Sequence, residues 1–72
     1  MSLSYNSALV NKIISDFQQG NKTDSINQLN LFLDKNPSNY TARYNLALMY
    51  ENINNMDLAI KNYTEVTSKD QS

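Results

Sequence analysis

Tyr44-Asn45-Leu46-Ala47 and Tyr50, then, across the interruption Asn52-Ile53-Asn54-Asn55, Ala59-Ile60, Tyr63 and Val66, decide the fold. Large and small apolar residues recur here at intervals of three and four, the spacing of one helix face. The asparagine-rich break between the two runs is a turn signal. Strict apolar–polar alternation, the mark of a half-buried strand, occurs nowhere in the chain. The stretch therefore reads as two helices joined by a tight turn.

Working outward, the single glycine, Gly20, and the single proline, Pro37, cut the remaining sequence at comparable intervals. Four helical segments result, at residues 7–19, 24–36, 40–52 and 56–68. The first carries Leu9, Val10, Ile13, Ile14 and Phe17, and the second Ile26, Leu29, Leu31, Phe32 and Leu33. Asn21 or Thr23, Ser38 or Asn39, and Asn55 are placed to accept an orphan backbone N–H at the helix starts. Gly20 and Asn54 suit the left-handed residue that ends a helix, and Pro37 forces Asn36 toward an extended conformation. Connections this short make consecutive helices antiparallel.

The chain also repeats. A shift of 34 residues places Ala8 on Ala42, Asn11 on Asn45, Gly20 on Asn54, Asn21 on Asn55, Ile26 on Ile60 and Lys35 on Lys69. A period of about 34 residues is that of a helix–turn–helix solenoid unit. The second half resembles the tetratricopeptide repeat (TPR): Leu46, Ala47 and Tyr50 on the first helix, then Ala59, Tyr63 and Val66 on the second. It departs at Arg43, where a large aromatic is common, at Asn54 in place of the turn glycine, and at Met56. In the first half Gly20, Ser25, Ile26, Leu29, Leu33 and Pro37 fit. Lys12 and Asp16 fall where Leu and Tyr are expected, with Ile13 and Phe17 one residue later, so either a shortened turn or a divergent first helix is at work. The expected architecture is all-α: two antiparallel hairpins, four helices, stacked as a short right-handed TPR-like solenoid. Residues 1–5 are set apart as a leader of the kind an expression vector adds. Residues 6–39 form the divergent first repeat, 40–69 the second, and 70–72 a tail.

Composition narrows the function. The 72 residues hold no histidine and no cysteine. The commonest general base, the commonest transition-metal ligand and any disulfide are therefore missing. The net charge of −1 lacks the basic footprint of nucleic-acid binding. Seven acidic residues are scattered without calcium-loop spacing or a paired acid and base. Three glycosylation sequons arise from twelve asparagines at close to the chance rate and imply nothing. No signal peptide or membrane-length apolar run is visible. The expectation is a non-enzymatic, cytoplasmic module without cofactor or metal, and with protein or peptide partners.

The resemblance adds where such a partner sits. Repeats of this kind hold extended peptides along a concave groove lined by the first helix of each hairpin. Carried over, the groove residues are Thr41, Tyr44, Asn45, Leu48 and Asn52 in the second repeat, and Ala8, Asn11 and Ser15 in the first. Asn45 is the strongest candidate, because one amide donates to and accepts from a ligand backbone at once. Asn11 repeats it one period upstream. Some family members clamp a carboxylate with groove cations, and only Lys12 and Arg43 are available for that here. A second reading is structural. Met49, Tyr63 and Val66 form an outer patch for self-association, with or without exchange of hairpins between chains, or the chain is an excerpt of a longer array in an assembly factor.

Overall fold

A computed structural model describes the backbone of residues 2–71 and the side chains of residues 6–68. It contains α1 (Ser2–Gln18), α2 (Lys22–Lys35), α3 (Tyr40–Asn52) and α4 (Met56–Gln71), with no strand among the described residues. α1 begins at Ser2 rather than at residue 7, so residues 2–5, set apart above as a leader, continue the first helix. The reason is local: no glycine or proline precedes Gly20, and each residue added to an existing helix fixes one more hydrogen bond. α4 likewise runs past residue 68 to Gln71.

Both hairpin turns close the same way. Asn21 N–H reaches back to the Asp16 carbonyl at 3.1 Å and Gly20 N–H to Phe17 at 3.0 Å. One period on, Asn55 N–H reaches Tyr50 at 2.8 Å and Asn54 N–H reaches Glu51 at 3.0 Å. This paired closure satisfies the last carbonyls of a helix and needs a left-handed residue just past its end. Gly20 at φ +106° and Asn54 at φ +65° supply it. Asn39 then starts α3 by accepting from the Ala42 N–H at 3.0 Å, and Asn55 starts α4 by accepting from Leu58 at 3.4 Å. Asn21 stands at the start of α2 without a side-chain cap bond.

Because the turn bonds match at 34 residues without a gap, the turn is not shortened, and it is α1 that has diverged. Its buried stripe is Val10, Ile13 and Phe17. Lys12 and Asp16 instead form an ion pair at 3.0 Å on the outside.

The helices pack in chain order, α1 on α2, α2 on α3, α3 on α4, with a smaller contact between α1 and α3. Among the described residues α1 and α4 do not meet. A closed bundle would bring them together, whereas an open row leaves a slab, and the extents are 35 × 33 × 16 Å. The core runs from Val10 and Phe17 through Leu29, Phe32 and Leu33 to Leu46 and Met49. Ala42, Ala47, Ala59 and Ser25 are fully buried, the small residues that let helices approach closely. Between the hairpins, Asn30 Nδ2 donates to the Tyr50 hydroxyl at 3.0 Å.

Arg43 acts as a polar staple in place of an aromatic. Its guanidinium pairs with Glu65 at 2.9 Å and donates to the Asn62 side chain at 3.3 Å and the Pro37 carbonyl at 3.4 Å. The equivalent positions in the first hairpin are Leu9, Gln28 and Leu31. There the seam between α1 and α2 stays an open, largely apolar cleft of about 450 Å³.

Ser25 occupies the position of Ala59 one period earlier, and its hydroxyl is buried without a hydrogen-bond partner. An orphaned buried hydroxyl costs roughly 1–3 kcal/mol. Ser25→Ala is therefore expected to raise stability by about 1 kcal/mol, read as a higher urea midpoint at unchanged slope. A lower midpoint would mean that the hydroxyl is satisfied in solution.

Candidate binding groove

α1 and α3 are the first helices of their hairpins and run in the same direction, so residues 34 apart occupy equivalent positions on them. Between the two lies a shallow cleft of about 240 Å³ lined by Asn6, Ser7, Val10, Asn11, Asn39, Thr41 and Asn45. Asn11 faces the same hollow as Asn45, and Ser7 the same hollow as Thr41. Val10 is its apolar floor, and the rest of the lining is amide or hydroxyl. Asn45 Nδ2 donates to the Thr41 carbonyl at 2.9 Å, which holds the side chain against its own helix. Its second N–H and its Oδ1 remain for a ligand, one donor and one acceptor.

Of the residues expected in the groove, Thr41, Asn45 and Asn11 line this cleft, whereas Tyr44, Leu48 and Asn52 do not. Tyr44 turns toward α4 and stacks edge-on against Tyr63, with ring centroids 5.5 Å apart and planes at 60°. Leu48 and Asn52 are exposed. Ala8 and Ser15 are also exposed outside the cleft. Asn6, Ser7, Val10 and Asn39 were not anticipated. Ser7 was accessible to the same logic as Asn11, since it stands one period before Thr41.

Neither candidate cation serves the cleft, because Lys12 pairs with Asp16, and Arg43 with Glu65 on the far side of α3. The hollow is lined without charge.

The expected outer patch needs one correction. Met49 is only 4% exposed and belongs to the core, because it lies on the side of α3 that packs toward the first hairpin. Tyr63 and Val66 are half-buried. The Tyr63 hydroxyl donates to Glu51 at 2.7 Å. Partial desolvation, followed by that bond and the carboxylate charge, pushes the Tyr63 phenol up to about 12.

A TPR repeat-containing protein of Methanocaldococcus jannaschii is 34% identical over 53 residues, which is 74% of this chain. These are two TPR-like hairpins. The chain spans 17% of that relative's length. No family model matches the sequence, and no solved structure matches it. No described helix is long and apolar enough to cross a membrane.

Proposed function

We propose that this TPR-like module is non-catalytic and holds an extended segment of a partner protein in the cleft between α1 and α3. The observation that supports the reading is the side-by-side placement of Asn11 and Asn45 in one uncharged hollow, flanked by Ser7 and Thr41. Two amides on parallel helices read a backbone through donor and acceptor pairs, with little regard for side-chain identity. Recognition of this kind depends little on ionic strength, since no charged side chain lines the site.

The test begins with peptides selected from an unbiased displayed library on the 72-residue chain. Asn45→Ala removes a donor and an acceptor, each net bond contributing about 0.5–1.5 kcal/mol. Affinity should fall roughly tenfold, with helicity unchanged. Asn11→Ala should weaken binding less, and the double variant most. Selected peptides that bind the double variant as tightly as the parent would overturn the reading.

A further inference from the structure

One side of the second hairpin is chemically unlike the rest of the surface. Tyr44 and Leu48 on α3, with Met56 and Ile60 on α4, are 47%, 41%, 46% and 57% exposed and surround the half-buried Tyr63. Shifted back one period, four of these five residues fall on Val10, Ile14, Ile26 and Leu29, and Met56 falls on Lys22. Val10, Ile26 and Leu29 are core, and Ile14 packs against it, where the second hairpin covers the first. Asn30, equivalent to Thr64, makes the bond to Tyr50 across that same junction. The open face thus corresponds, one period on, to the array's own inter-hairpin interface, and its side chains are exposed in this chain.

The opposite end of the array does not match it. α3 enters the junction with Ala42, Leu46 and Met49, all buried. The equivalent strip on α1 is Ala8, Lys12 and Ser15, all exposed, with Lys12 tied to Asp16. Seating that strip on the open face of another copy would bury the Lys12–Asp16 pair against apolar side chains, where the desolvation of both charges can exceed their mutual attraction. Head-to-tail stacking is therefore disfavoured. The other apolar opening, the α1–α2 cleft, is lined by Lys35, Gln28 and Asn36 as well as by apolar side chains, so the open face of a second copy is the better apolar match. Two tyrosines, an isoleucine, a leucine and a methionine are the residue types that fill interface centres. The carboxylate beside them, Glu51, is already bonded by Tyr63. With a net charge of −1 per chain, approach of a second copy meets little repulsion.

We propose that two copies of this chain pair through the α3–α4 face about a two-fold axis, forming a closed dimer in which each copy keeps its α1–α3 cleft open. Like patches meeting about a two-fold axis stop at two subunits, whereas unlike patches continue into open chains. The pairing is independent of the groove reading, since it uses different residues.

Sedimentation equilibrium of the 72-residue chain should show the mass rising from 8.2 kDa to a plateau at twice that value as concentration increases. Ile60→Glu and, separately, Leu48→Glu should hold the mass at the monomer value with unchanged helicity, because both sites are exposed in one copy. Leu31→Glu, at the most exposed large apolar side chain and on the α1–α2 side, should leave the plateau in place, as should Asn45→Ala. A monomer at millimolar concentration overturns the proposal. So does growth past two copies, survival of the dimer in Ile60→Glu, or its loss in Leu31→Glu.

Discussion

Leu29→Ala is expected to leave much of the chain unfolded at 25 °C. Leu29 is fully buried on α2, the helix that packs against both α1 and α3. Truncating a buried leucine to alanine removes apolar contacts and leaves a cavity, at about 2–5 kcal/mol. Globular stability runs at about 0.05–0.15 kcal/mol per residue, and small domains, which bury a lower fraction of their surface, sit toward the bottom of that range. For a chain of 72 residues the loss is comparable with the whole stability. Far-UV circular dichroism against urea reads the result directly. A change under about 1 kcal/mol would show that α2 and α3 are not packed across Leu29, and the stack of hairpins would lose its central joint.

The position of Leu29 also shows how much of this structure the residues announce. The turns were legible because their chemistry is local. A left-handed residue is needed just past a helix end, and Gly20 and Asn54 stand where one fits. Asn39 is equally local, since its side chain reaches only three residues ahead to Ala42. The 34-residue period then placed Asn11 beside Asn45 with no knowledge of the packing.

What was not legible depends on helix rotation. On α3 one residue step turns the side chain by about 100°, so neighbouring positions serve different surfaces. Thr41 and Asn45 face the cleft, Tyr44 turns to Tyr63, Ala42 and Met49 enter the core, and Arg43 reaches Glu65. Met49 is apolar, and an apolar residue near a helix end suits an exposed patch and a buried junction equally well. Only the placement of α1 and α2 decides between them. The divergence of α1 was ambiguous for a related reason: Lys12 and Asp16 in apolar slots signal either a shortened turn or a divergent first helix. The matching backbone bonds at both turns settle it as the latter. The same polar strip then makes the two ends of the array unequal.

Ala59→Leu is expected to cost about 1–3 kcal/mol, the usual penalty for forcing extra methylenes into a filled contact. Ala59 is fully buried on α4, and α3 is the helix that α4 packs against. Leucine is nearly as good a helix former as alanine, so any loss reports packing rather than propensity. The neighbouring residue supplies the control. Ile60 is 57% exposed, and Ile60→Ala, measured at a concentration where sedimentation gives the monomer mass, should change stability by no more than about 0.5 kcal/mol. The pair measures the rotational phase of α4. If the helix were turned by one residue, the small side chain would lie outside and the isoleucine inside, and the two effects would exchange. That exchange would remove the apolar face on which the dimer depends. Loss at Ala59 with tolerance at Ile60 fixes the rotation of α4, its small residue against α3 and its large one toward solvent.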